Sequence, residues 1–190
     1  MYFQRKIDIY LVKRGDNINA VASDIAEGPL DQAKKNIKAE KLEKKIEVRL
    51  GNGLDTYSDE IDTVIISGMG GRNMIGIFKK NIKVLKKIDT IIISPNNYQE
   101  DVKRFLCKNG FIIDDEVMVK EKKFIYQIIK LTKGKKRYSK KEYFFGPKYL
   151  EKKDKLFKEG KLDKIYPINE KKYNLNEITF FLEQEDVIDD

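Results

Sequence analysis

The 190-residue chain contains no histidine, no tryptophan, one cysteine and only four prolines. Without histidine there is no Ser-His-Asp triad, no Cys-His pair and no histidine-ligated metal. Any catalysis must therefore run on carboxylates, amides, hydroxyls, Lys or Arg, or on an organic cofactor. The single cysteine, Cys107, excludes an internal disulfide framework and a cysteine-rich zinc site, and its setting beside Val102, Phe105 and Leu106 predicts a core thiol. No metal is expected. No run approaches the roughly 18 apolar residues that span a bilayer, and Met1-Tyr2-Phe3-Gln4-Arg5-Lys6 lacks the apolar stretch and cleavage site of a secretory leader. The expected setting is cytoplasmic, with no membrane partner.

Charge is abundant, at 37% of residues, and unevenly placed. Residues 1–119 carry 20 basic and 18 acidic side chains, residues 120–164 carry 17 and 6, and residues 165–190 carry 2 and 7. The net charge of +8 is thus a local property. Lys133, Lys135, Lys136, Arg137, Lys140 and Lys141, followed by Tyr143, Phe144, Phe145 and Tyr149, have the composition of a phosphate-backbone binder. The same lysines also suit a plain solvated surface. The shift in composition divides the chain into a domain over residues 1–132 and a basic, partly helical extension over 133–190.

Up to about residue 130 strand and helix patterns alternate. Ile7 to Gly15 reads as a helix and Ala20 to Ile25 as a short buried strand. Gly28-Pro29-Leu30 opens a helix with Leu30, Ala33 and Ile37 as its stripe. Strands follow at Lys45 to Leu50, Ile61 to Ser67 and Asp89 to Ser94, with helices at Arg72 to Lys87 and Tyr98 to Asn109. Two longer strands, Phe111 to Lys120 and Phe124 to Thr132, are joined directly across Glu121-Lys122-Lys123. A further helical stretch is expected at Leu175 to Glu185. Nearly continuous apolar strands alternating with helices predict an α/β fold, a parallel sheet covered on both faces and closed by an antiparallel pair. In such sheets ligands lie across the carboxyl ends of the strands. Here those ends carry Asp24, Asn52 and the turn Ser67-Gly68-Met69-Gly70-Gly71.

That turn is the most informative stretch. Its glycines permit positive φ and close backbone approach, and the helix that follows presents N–H groups to a ligand. A tight strand-to-helix turn with no ligand fits the same residues. An acidic residue such as Asp24 can accept from both hydroxyls of a ribose, or simply favour a helix N-terminus. Asn52 between Gly51 and Gly53 can read a purine edge or serve the turn. Asn96 and Asn97 after Pro95 suit a helix cap, or an amide that orients a base.

Taken together, five segments resemble the TrmK-type bacterial tRNA adenine-N1 methyltransferases: Ala22-Ser23-Asp24-Ile25 with Gly28-Pro29-Leu30 and Ala33; Val48 to Leu54; Ile61 to Gly71; Ser94-Pro95-Asn96; and Glu142 to Pro147. The resemblance implies a Rossmann-like class I methyltransferase sheet, S-adenosylmethionine as cofactor and tRNA as partner, with N1 of adenosine 22 the target. It places Asp24 at the cofactor ribose, Asn52 and Gly53 near its adenine, Ser67 and Gly68 against the cofactor, and Gly68, Met69, Gly70 and Gly71 where methyl group and base meet. Asn96, with Tyr98, would contact the base. The family's opening strand and its loop of the kind Val-Ala-Asp-Ile-Gly-x-Asp-His-Gly are not found in this sequence, so the expected sheet lacks its first strand and glycine-rich loop, as in an N-terminally truncated member. Two alternatives follow: an RNA-binding remnant without catalysis, or another Rossmann-like enzyme using a different nucleotide cofactor. A missing central strand would leave a gap between the Asp24 and Ser67 strands.

Overall fold

The structure, a computed structural model, describes residues 7–15, 17–121 and 124–152. The expected helix at Leu175 to Glu185 and the segment Met1 to Lys6 lie outside these residues. Helix α1 (Ile7–Arg14) leads into β1 (Ala20–Asp24), α2 (Glu27–Ala39) and β2 (Ile46–Leu50). A short 3-10 turn (Gly53–Thr56) precedes β3 (Thr63–Ser67), α3 (Gly71–Lys80), α4 (Ile82–Leu85) and β4 (Thr90–Ser94). Then come α5 (Gln99–Lys108), the hairpin β5 (Phe111–Glu121) and β6 (Phe124–Lys133), and the short helices α6 (Lys140–Phe145) and α7 (Pro147–Lys152).

The strands form two separate sheets. β1 and β2 pair in parallel, with Asp24 opposite Leu50, and a second sheet runs β3-β4-β6-β5. β3 and β4 are parallel, with Ser67 opposite Ser94, while β6 runs antiparallel to both β4 and β5. β1 and β3 therefore each keep one edge unpaired by any described strand, which is the anticipated gap. Open edges of this kind are templates for a further strand.

Each sheet has its own core. Under the larger one, Met74 and Phe78 of α3, Leu85 of α4, and Val102 and Leu106 of α5 meet Ile91, Ile93, Ile129 and Leu131, all removed from solvent. The smaller core joins Ile9 and Val12 of α1 to Ile37 of α2 and Ile46 of β2, over Ala20, Ala22 and Val48. The two lobes meet where the 3-10 turn seats on α3. Leu54 enters the larger core, Asp55 accepts from Lys80 at 2.6 Å and from the Asn81 amide at 3.2 Å, and a side chain at Gly53 (φ 59°) would strike Ile77. Arg49 of β2 ties down the next stretch, donating to the Thr56 carbonyl at 2.9 Å and to Ser58 Oγ at 2.6 Å.

Two expectations need correction. The helix predicted over Arg72 to Lys87 breaks at Asn81, which leaves helical geometry (φ −111°, ψ 39°) while its backbone N–H and side-chain amide both donate to the Ile77 carbonyl and the amide also reaches Asp55. The four-stranded sheet is also covered on one face only among the described residues. Val64, Ile66, Ile91, Ile93 and Ile129 face the helices, whereas Ile65 and Ile128, on the alternate face, are exposed.

Beyond β6, Tyr138 bonds the backbone of Ile113 and a capping box between Ser139 and Glu142 starts α6. Gly146 (φ 100°) ends α6, lying so close to Glu116 that a Cβ would sit 2.7 Å from its carboxylate. Glu116 accepts from Lys148 N at 2.9 Å and from the fully buried Lys103 ammonium at 3.3 Å. Burial pushes Lys103 below its ordinary pKa and Glu116 above its own, each opposed by the charge of the other.

Candidate functional site

Two interlocked loops form the carboxyl end of the β3–β4 pair. Gly68 (φ 73°) turns the chain out of β3 and donates to the Ser94 carbonyl at 3.2 Å. Asn96 N donates to the Met69 carbonyl at 3.0 Å. The Gly71 N–H is shared between the backbone oxygen and the Oδ1 of Asn97, at 3.2 and 3.1 Å. A Cβ on Gly71 would stand 2.6 Å from the Asn97 oxygen and 2.8 Å from Val102 Cγ2, and one on Gly70 would stand 3.1 Å from Asn97 Oδ1. Gly70 and Gly71 thus admit the neighbouring loop, and the first amide of α3 is taken by Asn97. The N-cap position of α5 falls on Tyr98, which makes no side-chain cap bond, so neither Asn96 nor Asn97 caps its own helix as sequence suggested.

Tyr98 has a left-handed backbone (φ 54°), a conformation a bulky residue adopts only when its surroundings impose it. Its half-exposed ring carries the Arg72 guanidinium 4.3 Å from the centroid. From sequence, Asn97 reads as a cap or a base-orienting amide and Tyr98 as a base contact; the bonds from Gly71 N to Asn97 and the seating of Arg72 on Tyr98 are the features that sequence reading did not single out. The Pro95-Asn96-Asn97 run was the available signal.

At the end of the β1–β2 pair, Asp24 Oδ1 accepts from Ala26 N at 2.9 Å, an Asx turn that fixes the carboxylate and leaves its second oxygen without a partner among the described bonds. Gly51 N donates to the Asp24 carbonyl at 2.9 Å, which brings the Gly51-Asn52-Gly53 turn beside it. Asn52 is exposed, its carbonyl accepting from Asp55 N at 3.2 Å. The structure thus pairs Asp24 with Asn52, and Ser67, Gly68, Met69 and Gly70 with Asn96. No described strand bridges the two groups.

The basic stretch begins at the opposite end of the sheet. Thr132 pairs with Thr90 at the amino end of β4, and Lys133 Nζ donates to the Leu85 and Lys86 carbonyls at 3.1 and 2.9 Å, closing off α4. Partial burial holds Lys133 below its ordinary pKa. Lys135, Lys136 and Arg137 border a hollow of about 280 Å³ beside Cys107, and Lys140 and Lys141 open α6. The Cys107 thiol, half-buried and hydrogen-bonded to Tyr143, is pushed up to about 11 by burial, which keeps it protonated and unreactive. Among the described residues there is no cluster of metal-ligating side chains, and no helix is long and apolar enough to cross a membrane.

Parallel strands ending in a glycine turn, followed by a closing antiparallel hairpin, define a Rossmann-like domain of the class I methyltransferase type. In architecture it is similar to a protein of the NADB-Rossmann superfamily from Streptococcus agalactiae, with a TM-score of 0.78 and 33% identity, covering 95% of this chain and 76% of that one. It is also similar to a putative tRNA (m1A22) methyltransferase of Streptococcus pneumoniae solved with S-adenosyl-L-methionine, with a TM-score of 0.79 and 29% identity, covering 96% and 82%. The model of the TrmK family, tRNA (adenine(22)-N(1))-methyltransferase, matches residues 6–187, and the chain belongs to that family. The tRNA (adenine(22)-N(1))-methyltransferase of Bacillus subtilis is 29% identical over 126 residues, a match spanning 66% of this chain but only 53% of that protein.

Proposed function

We propose that the chain binds S-adenosylmethionine along the carboxyl ends of its parallel strands and methylates N1 of an adenosine in tRNA, position 22 by its family. The observation that carries this reading is the meeting of a fixed carboxylate, Asp24, with the Asn52 turn at one strand-pair end, in a chain matched by the family over residues 6–187. The ribose side of the cofactor fits, because the partner-free oxygen of Asp24 can accept from a hydroxyl. When bound, the cofactor supplies an electrophilic methyl group on a sulfonium, which the N1 lone pair can take without a general base.

The protein's part is then positional. Asp24 holds the ribose, Asn52 and Gly53 flank the adenine, and the backbone of Ser67 to Gly70 walls the site beside the incoming base. Asn96 offers its amide to that base, with its position fixed by the bond to Met69. Lys135, Lys136, Arg137, Lys140 and Lys141 hold phosphates. Lys133, engaged with helix carbonyls, contributes less.

The test is transfer of label from methyl-tritiated S-adenosylmethionine to a tRNA transcript. Label should enter the transcript with adenosine at position 22 and not one with guanosine there. The unpaired edges of β1 and β3 favour a second reading, in which the described residues form a cradle that needs a further strand between them and bind RNA without transfer. Retardation of tRNA in a gel at low salt, lost at high salt, with no label transferred, would support that second reading.

A further inference from the structure

The β5–β6 hairpin is longer than the sheet it belongs to. The last rung joining β6 to β4 is Ile129 opposite Ile93, yet the hairpin continues with Val117 opposite Ile128, Val119 opposite Tyr126 and Glu121 opposite Phe124. Because β6 runs antiparallel, this continuation rises past Ser94, at the carboxyl end of β4, beside the Pro95–Tyr98 loop. At about 3.3 Å per residue, the four steps from Ile128 to Phe124 carry it roughly 13 Å beyond that end.

The two faces of this arm differ. Met118 and Gln127 are buried toward the helices, whereas Val117, Val119, Phe124, Tyr126 and Ile128 are exposed, Phe124 by 54%. The Phe124 and Tyr126 rings lie 6.4 Å apart, tilted by 52°. Between residues 117 and 128 the sequence has three lysines and one glutamate. An exposed pair of aromatic rings projecting beside a ligand rim, in a segment whose sequence is net positive, has the chemistry of a base-stacking platform.

We propose that this face of the arm stacks the bases of unpaired RNA nucleotides that flank the target adenosine. The inference rests on the reading of the rim as the methylation site. N1 lies on the Watson–Crick edge of adenine, so a target adenosine must be unpaired before it can react. Its neighbours then lose stacking partners, and Phe124 and Tyr126 replace them.

The test uses a fluorescein-labelled tRNA transcript and a short single-stranded RNA containing 2-aminopurine. With Phe124→Ala/Tyr126→Ala, Kd for the transcript should rise about 10- to 100-fold, and quenching of 2-aminopurine on binding should disappear. Phe124→Tyr/Tyr126→Phe should restore both. If the double variant does not fold, as judged by circular dichroism, the single change at exposed Phe124 takes its place. Wild-type affinity and unchanged quenching in a folded Ala variant would overturn the inference while leaving the methylation reading intact. Failure of the wild-type protein to bind either RNA would overturn both. If light scattering shows a wild-type dimer that the Ala variant dissociates while RNA affinity is unchanged, the face belongs to a second copy and the inference falls.

Discussion

The two lobes contain the same kind of unit, parallel strands with helices, but they are held together very differently. The β3-β4-β6-β5 sheet rests on side chains with no solvent contact at all, Phe78, Leu85, Ile91 and Leu106 among them, and is locked at its far side by the buried Lys103–Glu116 pair. The β1–β2 pair rests on a small cluster around the buried Ile9, Val12, Ile37 and Ile46 and on surface ion pairs such as Lys13–Glu40, and no described strand pairs with the other edge of β1. The lobe that presents Asp24 and Asn52 is therefore the weaker, and ligand-binding elements are commonly drawn from the less stable parts of a fold.

The contrast can be broken hardest at the buried ion pair. Lys103→Met leaves Glu116 buried without its cation and should cost about 3–5 kcal/mol in denaturant unfolding. The double change Lys103→Met/Glu116→Leu should recover part of that loss. Full additivity of the two single changes would contradict the coupling.

Phe78→Ala and Ile37→Ala should separate the lobes. The first opens a cavity in the larger core, costs about 3–5 kcal/mol and lowers hydrogen-exchange protection throughout. The second should remove protection only from α1, β1, α2 and β2. Uniform loss of protection with Ile37→Ala would show that the lobes unfold as one.

Gly71→Ala, which pushes a methyl against the Asn97 carbonyl and Val102, should cost about 1–3 kcal/mol and loosen the loop pair at the rim. Gly28→Ala, where nothing lies within 4 Å, should not destabilise.

The smallest effect is electrostatic. Hydrogen bonds from Lys80 and Asn81 hold the Asp55 carboxyl below the ordinary range, and Lys152 does the same for Asp115. Carboxylates lowered in the folded state contribute stability above their unfolded pKa and lose it as pH falls through the folded value. Tm should therefore be level from neutral pH to about 5 and fall below about 4. Lys80→Met should slightly soften that acid limb.

Much of this was legible in the chain. Apolar runs at Ile91–Ile93 and Ile128–Leu131 placed the strands within a residue or two, and the Glu121-Lys122-Lys123 join placed the hairpin. The segments around Asp24, Asn52 and Gly68 led to the family, and the family loop not found in the sequence led to the expectation of unpaired β1 and β3 edges, which no described strand pairs. The rest depends on tertiary contacts. Gly70 and Gly71 read as a turn open to a ligand, and what sequence did not show is that they also admit Asn97 from a loop 26 residues away. Nothing in the local pattern marks Lys103 as buried, because its partner lies 13 residues on, in a strand. Lys133 looked like a phosphate ligand, yet α4 packs its last carbonyls against it. The sheet face that the described residues leave uncovered was invisible because a strand buried on one side and a strand buried on both share the same branched residues.

The central claim is that the strand-end rim holds the cofactor through Asp24, and titration calorimetry with S-adenosylmethionine on the wild-type chain and Asp24→Ala tests it most directly. A saturable binding heat in the wild type, with affinity falling roughly 10- to 100-fold in the variant as expected for loss of a hydrogen bond to a charged group, is the predicted result. No heat from the wild type at millimolar cofactor, or equal affinity in the two proteins, would contradict it.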